Sequence, residues 1–294
     1  MTEQRKKKTL LDFYNMKKRD EKVVWITGYS APQARFCEQA GVDMILIGDS
    51  GGMCLLGYDS TIPVTMEEMI IISKAVRRGA PNTWIIGDMP FMSYQKSNES
   101  AVENAGRFIK AGCDSIKLEG GKCVCSQIRA ITDAGIVVYA HLGMTPQSSN
   151  SFGGYKAQGR TVNSARAIIE DAYAVQEAGA KFLLLEAVPP EISLYLAEQL
   201  DIPVYGIGGG MCDGQLLIIS DVIGEFQLFT PKFVKKYASI ADTIVNAITE
   251  YKKDVQNKTF PEDPLHCYHI FKKHKEGIEK LMEELAKKPK KEEK

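Results

Sequence analysis

Polar and ionisable side chains stand at the carboxyl end of one short apolar run after another in this sequence. Asp49 and Ser50 follow DMILIG, Asp88 follows WIIG, Lys117 and Glu119 sit at the end of SIKLE, His141 follows IVVYA and Glu186 follows FLLL. A single acidic residue after a strand is commonly a helix N-cap or a solvated turn. A succession of them points to one rim of a barrel, where catalytic groups gather in that fold. Asp49, Asp88 and Glu119 offer hard oxygen donors with no Cys or His cluster beside them, a set that suits Mg²⁺ with retained waters and a chelating substrate and disfavours zinc. Lys117 and Glu119 are two residues apart, so on a strand they point the same way. If that face is inward they share the mouth; the alternative is a structural ion pair at the rim. His141 could donate to a substrate, act as acid or base, or simply cap its strand.

Positioning these groups needs strands that recur. Runs rich in Val, Ile and Leu occur at 23–27, 43–48, 84–87, 115–118, 136–140, 182–185 and 203–207. They lack strict apolar/polar alternation, as expected of parallel strands covered on both faces. Thr65 and Glu68 form a capping box ahead of a helix over 66–78 that stops at Gly79. The same stop recurs at Gly41, Gly112, Gly135 and Gly179, where a left-handed C-cap would turn the chain back into a strand. Alternating strands and helices imply right-handed crossovers, and a closed barrel or an open doubly wound sheet would satisfy them. The closed α/β (β/α)8 TIM barrel needs an eighth strand, for which QLLIIS at 215–220 is the candidate. The stretch 231–255 reads as one or two additional C-terminal helices.

A length of 294 residues suits one barrel domain over 1–294, with 1–20 as an N-terminal extension and 276–294 as a charged C-terminal tail. The 37 basic and 37 acidic side chains cancel, so the overall field favours neither nucleic acid nor an anionic membrane. No run approaches the roughly 20 apolar residues of a membrane span and no secretory leader is evident, so a cytoplasmic location is expected. Seven scattered cysteines read as free thiols. The close pair Cys123 and Cys125 lacks a second Cys or His pair and is weak evidence for a metal.

Two glycine-rich stretches, 48–61 and 205–214, could bring amides to an anion or serve as turns, but neither gives G-x-G-x-x-G opening a helix, which argues against a dinucleotide site. The polar segment 141–161, with Lys156 and Arg160, reads as a lid or binding loop, or as a mobile connector. His266, His269 and His274 have no acidic partner at convincing spacing and read as surface or packing residues.

The ordered set AGVDMILIGDS, LLGYDSTIPVTMEEM, GDMPFMSY, IKLEGG, HLGMTPQS, GGYKAQGR, LLLEAVP and DGQLLII resembles the ketopantoate hydroxymethyltransferase family from about Thr9 to His266. That resemblance implies transfer of a hydroxymethyl group from 5,10-methylenetetrahydrofolate to 2-oxoisovalerate through a metal-stabilised enolate, giving 2-dehydropantoate for pantothenate synthesis. It implies Mg²⁺ or another divalent cation, with Asp49 and Asp88 as ligands and Glu119 completing or supporting the shell. Asp49, Ser50, Asp88, Lys117 and His141 match the substrate-binding positions, and Glu186 matches the catalytic acid/base. A homo-oligomer is implied as well. A paralogous metal-dependent 2-oxo acid lyase or aldolase-like enzyme, or a non-catalytic barrel, would share much of this pattern. The sequence departs from the family at Ser30, Gly51, Ala187, Tyr205 and Gly209, of which Gly51 and Tyr205 are expected to border the mouth and bear on which 2-oxo acid fits.

Overall fold

Strand pairing decides between the two architectures. In the computed structural model, which describes residues 6–287, eight parallel strands close into a barrel in chain order. They are β1 (Val23–Thr27), β2 (Met44–Ile47), β3 (Trp84–Asp88), β4 (Ser115–Glu119), β5 (Val138–Gly143), β6 (Phe182–Glu186), β7 (Val204–Ile207) and β8 (Gly214–Leu217). β1 pairs with β8 from Val23↔Gly214 to Ile26↔Leu217. That seam rules out the open sheet and gives the expected (β/α)8 barrel.

Two strands, β5 and β8, depart from the sequence reading by more than one residue at an end. β8 stops at Leu217, and Ile219–Val222 instead makes one helical turn whose Ile219 N–H donates to Thr27 Oγ1 at 3.0 Å. β5 begins at Val138, because Gly135 is left-handed (φ 83°) and the Ile136 N–H still bonds back to Ile131 O. It runs on to Gly143, so His141 lies within the strand, opposite Glu119.

The two-residue strand period sorts the buried side chains into two cores. Ile45, Ile85, Ile116, Leu118, Leu183 and Leu185 pack outward under the helices. Trp25, Met44, Leu46, Trp84, Ile86, Tyr139, Phe182, Leu184 and Tyr205 fill the lumen. The same alternation carries the lumen face upward from Trp84 and Ile86 to Asp88, from Tyr139 to His141, and from Phe182 and Leu184 to Glu186. An aromatic lower lumen thus supports a charged upper one. The helix Leu10–Lys18 covers the amino-terminal end: Phe13 packs edge-on against Trp84 and Phe182, at centroid distances of 5.5 and 6.0 Å, and Lys17 pairs with Asp213 at 2.8 Å.

The helix Met66–Gly79 has the expected Thr65/Glu68 capping box. Gly41, Gly112, Gly135 and Gly179 are left-handed as expected. Gly79 is different. It is the last helical residue, and a Cβ there would lie 2.2 Å from Ala31 O, so its smallness allows the close approach of the helix Ala31–Gln39 rather than a reversal of the chain.

The barrel belongs to the first of two compact units, Met1–Ser239; the second is Ile240–Lys294. In the second unit a helix spans Ile240–Asn257 and another Lys275–Ala286, and neither buries a residue. His269, read as lacking an acidic partner, lies 2.6 Å from the exposed Asp263 carboxylate. Residues 1–5 of the N-terminal extension and 288–294 of the charged tail lie outside the described residues. All seven cysteines are free. Among the described residues no helix is long and apolar enough to cross a membrane.

Candidate active site

Two poles of charge face each other across the upper lumen. Asp49, two residues beyond β2, and Asp88, at the end of β3, form the first with Lys117 and Glu119 on β4. The Asp49 N–H donates to Asp88 Oδ2 at 3.1 Å, and Lys117 Nζ donates to Asp88 Oδ1 at 2.6 Å while lying 3.6 Å from Glu119 Oε1. Glu186, at the end of β6, forms the second pole. β6 is the fourth strand on from β2 in a ring of eight, hence diametrically opposite. His141 on β5 stands between them, with Nδ1 3.4 Å from Glu119 Oε1 and Nε2 3.4 Å from Glu186 Oε2. Each ring nitrogen thus faces one glutamate without completing an aligned hydrogen bond to it.

Burial makes these groups electrostatically consequential. Asp49, Asp88, Lys117, Glu119 and His141 are each under 5% exposed. Burial first, and then the neighbouring Asp88 charge, pushes Asp49 well above the usual carboxylate range. Burial also raises Asp88, against the pull of Lys117. At Glu119 burial is outweighed by Lys117, His141 and the Gln147 N–H, which hold it below its ordinary value. Burial likewise works against charge on Lys117, but Asp88, Glu119 and Asp49 prevail and keep it protonated. His141 is raised on balance: burial and Lys117 oppose its proton, and the two glutamates favour it. Glu186 is raised mainly by burial, with His141 opposing. One pole therefore crowds three buried carboxyl groups around Lys117, two of them raised because burial and their neighbours resist ionisation, and the other presents a carboxyl group raised by burial.

The groups line one cavity of about 860 Å³. Apolar walls come from Leu46, Met144, Leu184, Val188 and Ile207, and the upper rim from Tyr155, Lys156 and Arg160 of the polar loop together with Phe229, Lys232 and Phe233. The loop expected to act as a lid or connector is thus part of the cavity wall. Two side chains unremarked in the sequence organise its base. Gln147 and Tyr94 are buried and hydrogen-bonded to the acidic pole. Gln147 follows a Pro in HLGMTPQS, yet nothing in its spacing separates it from neighbouring loop residues, and Tyr94 carries no motif at all.

The positions that depart from the resembled pattern resolve differently from expectation. Tyr205 does not border the mouth; it is fully buried in the lower lumen, stacked on Phe182 at 5.8 Å and edge-on to Trp25 at 5.7 Å. Its place, second in β7, puts it one inward layer below Ile207, which does line the cavity. Gly51 is buried beneath Tyr29, where a Cβ would lie 2.9 Å from the ring, and it too is absent from the cavity wall. Its influence is indirect, because Tyr29 Oη lies 2.8 Å from Oγ of the cavity-lining Ser50. Ser30 caps a helix, accepting the Gln33 N–H at 3.3 Å. Gly209 lies close to Ser193, whose Oγ would be 3.1 Å from a Cβ there. Ala187 lines the cavity beside Glu186 with φ 49°, held by its N–H to Ile207 O at 2.9 Å and by the Gln158 N–H to its own carbonyl at 3.0 Å.

The metal-ligand set expected from sequence is brought together in part. Asp49 and Asp88 adjoin, but Glu119 turns toward Lys117, His141 and Gln147, and no trio of Asp, Glu, His or Cys among the described residues is arranged to enclose a metal ion. Two carboxylates are still a sufficient protein contribution for Mg²⁺, which commonly keeps several waters.

The profile of the ketopantoate hydroxymethyltransferase family matches residues 7–263. The chain is 60% identical to the 3-methyl-2-oxobutanoate hydroxymethyltransferase of Alkaliphilus metalliredigens (strain QYMF), over 95% of this chain and 99% of that protein. It is 52% identical to the protein of the same name from Bacillus subtilis (strain 168), over 87% and 93%. Among solved structures, the barrel resembles phosphonopyruvate hydrolase in complex with oxalate and Mg²⁺, with TM-score 0.57, 12% identity and coverage of 95% and 98%; this likeness concerns the fold alone.

Proposed function

Since the chain belongs to the ketopantoate hydroxymethyltransferase family, we propose that it transfers a hydroxymethyl group from 5,10-methylenetetrahydrofolate to 2-oxoisovalerate, giving 2-dehydropantoate for pantothenate synthesis. The observation that carries this reading is the placement of Glu186, at the end of β6, diametrically across one cavity from Asp49 beyond β2, with Asp88 and Lys117 on the intervening β3 and β4 of the same cavity. A carbon acid whose keto and carboxylate oxygens face the first pole turns its C3 toward the second. The enzyme works in the cytoplasm as a homo-oligomer.

The residues present fit a divalent cation. Asp49 and Asp88 are buried side by side, with Lys117 the one cation paired with either of them among the described residues, and their oxygens are the hard donors that Mg²⁺ takes. Asp49 and Asp88 would hold it, with Glu119 supporting the shell through Lys117 and Gln147. A bound divalent cation supplies Lewis acidity toward the oxygens of the 2-oxo acid.

The chain's own groups do the rest. Lys117, fixed between Asp88 and Glu119, presents positive charge that needs no rearrangement as negative charge develops on the keto oxygen. Ser50 and His141 offer hydrogen bonds to the acid. Glu186 takes the C3 proton, and its raised pKa makes it a stronger base than a solvated glutamate. Leu184, Val188 and Ile207 keep water from the side of the cavity that receives the isopropyl group. A five-carbon acid fills only part of 860 Å³; the space beneath Tyr155, Lys156 and Arg160 receives the folate carrier.

Incubation of the purified chain with 2-oxoisovalerate, 5,10-methylenetetrahydrofolate and Mg²⁺ should give 2-dehydropantoate by mass spectrometry. Formation should stop with chelator and resume with added Mg²⁺. Folded, cation-supplied protein that gives no product contradicts the reading.

A further inference from the structure

A loop residue, rather than a strand residue, holds the acidic pole together. Gln147 lies in the 3-10 helix Pro146–Phe152, at the root of the loop that carries Tyr155, Lys156 and Arg160 to the cavity rim. It is 5% exposed. Its Nε2 donates to Asp49 Oδ2 and to Met89 O, both at 2.9 Å. Its backbone N–H donates to Glu119 Oε2 at 3.0 Å. Its Oε1 lies 2.8 Å from the Tyr94 hydroxyl, which accepts the Glu119 N–H at 3.1 Å. The amide can sit only this way round, because the flipped orientation would set its oxygen against a carboxylate and a carbonyl.

We propose that Gln147 is a positioning residue that fixes the direction in which the Asp49 carboxylate points and, through its backbone, ties the rim loop to Glu119. The inference rests on the reading that Asp49 holds a divalent cation. The terminal torsion of an aspartate is soft, with a broad, nearly two-fold profile. Burial by itself leaves the plane of the Asp49 carboxylate undetermined, and the donor at Oδ2 settles which oxygen remains for a ligand. Tyr94 in turn fixes the Gln147 amide plane. Because the same residue bonds Asp49, Glu119 and the carbonyl just after Asp88, a shift of the loop root would disturb all three carboxylate-bearing segments together. Groups that orient metal ligands in this way typically account for about 10–100-fold in metal affinity or activity.

The test is calorimetric titration of Mg²⁺ into the full chain without substrate, together with thermal melts and separate measurement of kcat and KM. Gln147→Met keeps the length and bulk of the side chain and removes the donor. It should weaken Mg²⁺ binding about 10–100-fold and lower kcat in parallel. Tyr94→Phe should act in the same direction but more weakly, and the double variant should be no worse than Gln147→Met. Asp49→Asn separates the two levels of the argument. If it binds Mg²⁺ as the unaltered chain does, the cation reading fails and this inference with it. If Asp49→Asn loses Mg²⁺ while Gln147→Met melts at a lower temperature yet keeps full Mg²⁺ affinity, Gln147 is merely structural and the proposal is overturned. Should Gln147→Met fail to fold, Tyr94→Phe decides: weakened Mg²⁺ binding supports the proposal and unchanged binding overturns it.

Discussion

Replacing Glu186 by glutamine is expected to lower turnover by about 10²–10⁴-fold, the range for loss of a general base. Affinity for Mg²⁺ and 2-oxoisovalerate should be retained. The substitution preserves shape at the end of β6 and keeps a polar atom facing His141 Nε2, while removing the group that can accept the C3 proton. Direct titration with Mg²⁺ and then with the 2-oxo acid separates loss of chemistry from loss of binding. The pH profile gives a second check. Burial raises the Glu186 carboxyl above its ordinary 4.5, against the opposing effect of His141. Proton abstraction needs the ionised form, so kcat/KM should fall with decreasing pH through an acid limb that lies above 4.5. Residual activity of Glu186→Gln should lack that limb. Turnover equal to that of the unaltered chain would remove Glu186 from the chemistry.

Lys117→Met should be the most damaging change to stability. The lysine is 3% exposed and bonded to Asp88, whose carboxylate is equally buried. Without it, among the described residues Asp88 keeps only the Asp49 N–H and has no cation paired with it against the neighbouring Asp49 and Glu119 carboxyls. Removing one partner of such a pair costs about 3–5 kcal/mol. The sign of the pH dependence follows from Asp88. Burial already places it above the ordinary 3.8, and Lys117 is what holds it down. In the variant its folded pKa rises further, so the penalty is full above that raised value and fades as pH falls toward 3.8 and both states become protonated. Denaturant midpoints at neutral pH and near pH 5 should therefore differ less from those of the unaltered chain at the lower pH. Turnover should fall as well, because the fixed positive charge is lost.

Most of the barrel was legible because its signals are local. Buried parallel strands are continuous apolar runs, and the left-handed glycines after four helices mark where each helix hands over to a strand. The two-residue period then carries Asp88, Lys117, Glu119, His141 and Glu186 inward without further information. Gly79 is not told apart by sequence, because a glycine that allows two helices to approach looks the same there as one that reverses the chain. Long-range relations were not legible. Tyr205, a departure from the family pattern that is expected at the mouth, lies lower, because its depth depends on its register against β6 and β8, which no single segment encodes. Gln147 and Tyr94 were invisible for the same reason: their partners lie 98 and 25 residues away, at Asp49 and Glu119. Whether Glu119 completes the metal shell or supports it is not legible from residue type, because its orientation depends on its neighbours Lys117, His141 and Gln147.

Proton exchange at C3 of 2-oxoisovalerate tests the division of labour between the two poles most directly. In deuterium oxide with Mg²⁺, and with no one-carbon carrier, the folded chain should replace the C3 proton by deuterium, as followed by nuclear magnetic resonance. Glu186→Gln should bind the acid and leave that proton in place. No exchange by the unaltered, cation-loaded chain, or undiminished exchange by Glu186→Gln, would contradict the account.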